Sequence, residues 1–153
     1  MKHISPTSLT ESTHMVHAHA ITSELADGSA CAIRTYFHDG TSRGQCQAFR
    51  VNDTHLATIS GVLAGLFDLK NIAVPGDTIR IKTVWGNQLP FFQTSRPVSN
   101  AHKMNLKSLS DIIKDLRDNG VAVSFMADAD EPDPELVRHA SKVLMQQRRR
   151  SFA

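Results

Sequence analysis

Apolar and polar residues alternate with a period of two over the first third of the chain. They switch to a helical period after residue 52 and change back twice more. Residues 14–25 read as a strand. Ala26, Asp27, Gly28 and Ser29 form a turn signal, because Asp-Gly supplies the positive φ that a tight hairpin needs. Residues 30–39 alternate, with Cys31, Ile33, Thr35 and Phe37 on one face; 39–44 is a second turn and 45–51 a third strand. Asn52, Asp53 and Thr54 then supply N-cap chemistry for a helix that carries Leu56, Ile59, Leu63, Leu66 and Phe67. Gly61 and Gly65 lie one turn apart inside it. Glycine weakens a helix interior, so the pair implies close packing on a sheet.

Pro75-Gly76 breaks the chain before a strand at 77–84, with Ile79 and Ile81 on one face and Arg80 and Lys82 on the other. Residues 86–100 are irregular, with a short helix expected over 87–93. An amphipathic helix over 105–118 runs through Leu106, Leu109, Ile113 and Leu116, and Asn119-Gly120 ends it. Val121, Val123 and Phe125 alternate as a fifth strand. Asp133 caps a last helix that has Pro134 in its first turn and a stripe of Leu136, Val137, Ala140, Val143 and Leu144. The order β-β-β-α-β-α-β-α predicts an α/β domain, a five-stranded mixed sheet flanked by helices.

The chain has 153 residues, enough for one domain with its own core. The expected division is a flexible lead-in at 1–13, a domain at 14–147 and a basic tail at 148–153. A hydrophobic share of 41% and a charged share of 21% suit a globular protein. No apolar run approaches the roughly 20 residues of a membrane span, and the polar N-terminus lacks the apolar segment of a secretory signal. A cytoplasmic, reducing location without membrane contact is therefore expected. Cys31 and Cys46 are too few for a disulfide scaffold and lack metal spacing, so both read as small buried side chains. A net charge of +2 neither demands nor excludes a polyanionic partner. With no Gly-rich phosphate loop and no nucleophile elbow, no cofactor is expected.

Local sequence adds to the element order. DTHLATISGVLAGLFDL (53–69), DTIRIKTVWGNQL (77–89), LKSLSDIIKDLRDNGVAVSFM (106–126) and EPDPELVRHASKVL (131–144) follow one another as the first helix, fourth strand, late helix with fifth strand, and final helix of a known fold. In that order and spacing, over about residues 14–147, the chain resembles the ribonuclease H-like superfamily. The resemblance implies a cluster of four carboxylates holding two divalent cations roughly 4 Å apart, which activate water and stabilise the leaving oxygen.

The acids implied by the resemblance are missing here. The first falls in a strand without Asp or Glu, nearest His17 or His19. Asp27-Gly28-Ser29 echoes the family's Asp-Gly-Ser but lies in the turn. The second falls on His55, with Asp53 nearby. The third falls on Val84, in a stretch (IKTVWGN) that has no acid, and the fourth on Ala140 or His139. A degenerate member of the superfamily is expected, with no catalytic residues.

Three further constellations compete with simpler readings. His17, His19 and His55 are candidates for a Zn²⁺-like site, against hydrogen-bonded or surface histidines in a chain with eight of them. Asp128, Asp130, Glu131, Asp133 and Glu135 read as a solvated loop with helix-start charges, since a Ca²⁺ loop would need a central Gly. Trp85, Phe91 and Phe92 are either core plugs or a partner anchor. The first expectation for function is a non-catalytic interaction or adaptor module with a protein partner, of the compact kind a virus or mobile element encodes. The second is binding of RNA, DNA or a hybrid without cleavage, through Arg80, Lys82, Lys103, Lys107 and the tail Arg148, Arg149 and Arg150. Active nuclease chemistry comes third.

Overall fold

Alternation along the first strand decides how the layers stack. The computed structural model describes residues 12–23, 28–50, 53–84, 100–127 and 133–152. The elements are β1 (Thr13–Ser23), β2 (Gly28–Tyr36), β3 (Ser42–Phe49), α1 (Thr54–Lys70), β4 (Thr78–Thr83), α2 (Asn100–Asp118), β5 (Ala122–Ala127) and α3 (Pro134–Phe152). They form one five-stranded sheet of order β3-β2-β1-β4-β5. β1–β2 and β2–β3 are antiparallel, whereas β1–β4 and β4–β5 are parallel. The element order and the mixed sheet are those expected from the periodicity.

On one sheet face Val16, Ala18, Cys31, Ile33, Ile79, Ile81 and Val123 meet α1 and α2 in a single apolar core. α1 lies inside this layer, with Leu56, Ile59, Val62, Leu63, Leu66 and Leu69 all buried. α2 covers it from outside through Leu106, Leu109, Ile112, Ile113 and Leu116, and Asn105 Nδ2 donates to Ser60 Oγ at 2.7 Å. On the other face α3 packs Leu136, Ala140 and Leu144 over Ala30 and Ala32. The smaller cluster on that side reflects the small side chains there. Asp53 caps α1 by accepting the Leu56 N–H at 3.1 Å, in the role its sequence position predicts.

The structure corrects several boundaries. β3 starts at Ser42, inside the expected 39–44 turn. The reversal is tighter: Phe37 N–H donates to Thr41 O at 2.9 Å, and Gly40 takes the positive φ, 92°. Arg43 and Gly44 are extended and pair with Thr35 and Arg34. α2 starts five residues early, and α3 continues to Phe152, so its last turns carry Arg148, Arg149 and Arg150. Lys, Gln and Arg are good helix formers, so an apolar stripe alone does not mark where such a helix ends. The Asp27 turn and the 87–93 helix lie outside the described residues. Cys31 and Cys46 are free thiols on neighbouring strands but on opposite sheet faces, because Ala32, not Cys31, is the register partner of Cys46. Burial pushes both thiols up, Cys46 to about 11.

Two contacts hold the layers. A Cβ at Gly61 would stand 2.4 Å from Cys31 Sγ, and one at Gly65 would stand 2.5 Å from Val16 Cγ1. At the N-terminal end of β1, fully buried His14 points Nε2 at Asp77 Oδ2 (3.0 Å), while its Nδ1 accepts the His38 N–H at 3.2 Å. Asp77 also accepts the Val74 N–H at 3.0 Å. Burial pushes the Asp77 carboxyl up. The Val74 N–H, the hydrogen bond from His14 and the nearby imidazoles of His14 and His38 outweigh that push and leave it below the usual carboxylate range.

Gly65→Ala is expected to destabilise the fold by up to about 2 kcal/mol in urea denaturation. Helix propensity gains about 1 kcal/mol, but forcing α1 off Val16 costs about 1–3 kcal/mol. A stabilised Gly65→Ala protein would refute close packing as the reason for this glycine. A carboxyl whose folded pKa is depressed adds stability that is present above its unfolded value and lost as pH falls through the folded one. The wild type should therefore lose stability below about pH 4. Asp77→Asn should be less stable near neutral pH by about 2–3 kcal/mol and show a shallower acid slope.

Candidate nucleic-acid interface

The side chains that do not face α1 define the site. Because Val16 and Ala18 enter the core, Met15, His17 and His19 leave β1 on the α3 side. The pairing register sets their neighbours. His17 lies between Arg34 on β2 and Lys82 on β4, and Gly44 on β3 continues the row. Met15 lies between Tyr36 and Arg80, and Ser42 follows. Two adjacent rows thus bring Arg34, Arg80 and Lys82 to one sheet face. Among the described residues α3 packs chiefly over β1, β2 and β3. Arg80 is exposed, and so are Ala122 and Ser124 of β5 on the same face.

Arg34 is held in place, its Nη1 donating to Ser42 Oγ at 2.9 Å. Tyr36 stands beside it. Burial first, then the charge of Asp133, raises the Tyr36 hydroxyl pKa against the lowering effect of Arg34, which keeps the phenol a hydrogen-bond donor. His17 is buried at 5% exposure.

Carboxylates elsewhere are committed to local structure. Asp39 closes its turn by accepting from Thr41 N–H and Oγ1–H, which hold its pKa low. Asp53 caps α1. Asp68 straps α1 to β3 by accepting from Arg43 Nη1 at 3.0 Å and Gln45 Nε2 at 2.9 Å. Asp111 and Asp118 pair with Lys107 and Lys114 along α2. Asp133 accepts the Glu135 N–H at the start of α3. Asp27, Asp128, Asp130 and Glu131 lie outside the described residues.

The positions where the resemblance implies acids can now be located. His17 and His19 are on the α3 side of β1, whereas His55 sits in the first turn of α1, the helix on the opposite face. Among the described residues, no three His, Cys, Asp or Glu side chains are grouped to hold a metal ion. Val84 follows β4 with 48% exposure. Ala140 is buried against Ala30 and Ala32, and His139 is exposed.

The basic residues expected to act together are divided by the fold. Arg80 and Lys82 share the sheet face just described. Lys103 and Lys107 lie on α2, whose packing on α1 and β5 puts it on the other face, and Lys107 pairs with Asp111 at 3.0 Å. Arg148, Arg149 and Arg150 end α3. Trp85, Phe91 and Phe92 lie outside the described residues. Arg34 was overlooked in the sequence. The alternation of β2 reveals that it points away from Cys31 and Ile33, but only the pairing register puts it beside His17 and Lys82.

No protein-family model matches the chain, and no curated protein matches it. Solved structures do. The N-terminal RNase H domain of a Mycobacterium tuberculosis protein, solved as a maltose-binding-protein fusion, matches with a TM-score of 0.68 at 11% identity, covering 92% of this chain and 99% of that one. LC11-RNase H1 in complex with an RNA/DNA hybrid matches with a TM-score of 0.59 at 9% identity, covering 92% and 99%. The protease–reverse transcriptase of prototype foamy virus matches with a TM-score of 0.54 at 12% identity, covering 95% of this chain and 22% of that one. The sheet order, the three helices and these likenesses together establish that the chain has the ribonuclease H-like α/β fold.

Proposed function

We propose that this chain is a ribonuclease H-like module that binds nucleic acid without cleaving it. The carrying observation is the register that sets Arg34, Arg80 and Lys82 on one sheet face, where Arg80 is exposed. Phosphates are bound chiefly by such cationic side chains, and the affinity depends steeply on salt. The RNA/DNA hybrid bound by LC11-RNase H1, a protein of the same fold, supports the choice of ligand.

The residues at the implied acid positions do not fit a pair of divalent cations. Val84 and Ala140 carry no donor atom, and imidazoles at His19 and His55 are poor ligands for a hard cation that prefers carboxylate oxygens. The module is thus non-catalytic, and its two free thiols suit a reducing, cytoplasm-like compartment. A protein partner is the second reading. It is favoured by exposed Phe67, Ile72 and Val74, close together in sequence around the C-terminal end of α1.

Fluorescence anisotropy with labelled RNA/DNA hybrid, duplex DNA and single-stranded RNA tests the choice. Binding at about 50 mM salt should weaken steeply on raising salt, with a log–log slope near −0.9 per phosphate neutralised on a duplex. The double variant Arg80→Gln/Lys82→Gln should bind about tenfold more weakly and flatten the slope by one to two phosphates. Absence of binding at low salt would favour the protein-partner reading instead. Cleavage of the hybrid in Mg²⁺ or Mn²⁺ would overturn the non-catalytic one.

A further inference from the structure

α3 and the β2–β3 side of the sheet enclose a groove of about 390 Å³. Arg34, Gly44, Glu135, Arg138, His139 and Lys142 line it. Arg80 and Lys82 do not, because β4 lies two strands from β2.

The groove is built around a fixed guanidinium. Gly44 is the register partner of Arg34, and a Cβ at Gly44 would come within 3.2 Å of Arg34 Nη2. The missing side chain lets the guanidinium lie against β3, where Ser42 Oγ takes one of its five donors. Opposite it, Arg138 and Lys142 are four residues apart on α3, so they share a face and repel each other. Among the described residues no carboxylate forms a salt bridge with Arg34, Arg138 or Lys142. Glu135 is the one carboxylate in the lining, one residue beyond the start of α3. Three strong cations thus face one acid across a space large enough for a small anion. Arg34 offers the planar donor fork that suits phosphate oxygens.

We propose that this groove is a binding site for a phosphate group, with Arg34 as its fixed donor and Arg138, His139 and Lys142 as its helical wall. The phosphate belongs either to a nucleic-acid backbone or to a small phosphorylated molecule. The inference shares Arg34 with the nucleic-acid reading but does not need Arg80 or Lys82.

Inorganic pyrophosphate, titrated into ¹⁵N-labelled full-length protein and followed by NMR, tests it. Saturable shifts should centre on the Gly44 and His139 amides. Arg34→Gln and Lys142→Gln should each weaken binding about fivefold or more, and Glu135→Gln should strengthen it about twofold. Lys142 is exposed, so its variant reports on binding even if Arg34→Gln perturbs the hairpin. Shifts that do not saturate, or an affinity unchanged in both cation variants, would overturn the proposal; so would weaker binding by Glu135→Gln. Displacement of pyrophosphate by an unlabelled single-stranded oligonucleotide would assign the site to a backbone phosphate. Retention would assign it to a small phosphorylated ligand. Failure of the Arg80→Gln/Lys82→Gln experiment would leave these outcomes intact.

Discussion

The close seating of α1 on β1 and β2 is the contact on which the rest of the molecule depends. Gly61 and Gly65 bring the helix backbone down onto Cys31 and Val16. That contact decides which face of β1 is the core. Because strand side chains alternate, assigning Val16 and Ala18 to the core commits His17 and His19 to the other face at once. The register then carries the commitment sideways to Arg34 on β2 and to Lys82 on β4. A one-residue slip would reverse both faces and bury the charges, so the apolar core and the basic surface are two consequences of one packing decision.

The distribution of carboxylates follows a complementary logic. Asp53 caps α1, Asp68 ties the β3 edge to α1, and Asp77 holds His14 at the start of β1. Each is used in making the fold. The sheet face under and beside α3 is left with Arg34, Arg80 and Lys82 and with imidazoles. A surface of this kind attracts phosphates, whereas a two-cation centre needs converging carboxylates. Fold and chemistry are separable: the scaffold is ribonuclease H-like, and the proposed phosphate binding rests on the side chains that it carries.

α3 divides that face. Its small contact surface of Leu136, Ala140 and Leu144 sits on Ala30 and Ala32, residues small enough to let the helix approach. Among the described residues it leaves Arg80, Ala122 and Ser124 exposed on one side and a groove against β2 and β3 on the other. Arg34 lies under this arrangement, in register with His17 and Lys82 on one side and lining the groove on the other. Gly44 enables the second role by leaving room for its guanidinium.

Much of this was legible in the residues alone. Period-two and period-3.6 patterning located all eight elements, the Asp53 cap and the Gly61–Gly65 contact surface, because those signals depend on local geometry and on one buried face. The boundary at Ser42 was misjudged where chain polarity, rather than burial, set the end. The candidate site was less legible. Arg80 and Lys82 were visible as a polar strand face, and Lys103 and Lys107 seemed to belong with them until the packing of α2 put them on the opposite side. Arg34, Gly44, Arg138 and Lys142 come from three elements, and nothing local connects them. The sequence by itself determined which face each strand and helix buries, since that follows from periodicity. Only the tertiary structure decided which exposed ones meet, since that depends on strand register and on where α3 comes to rest.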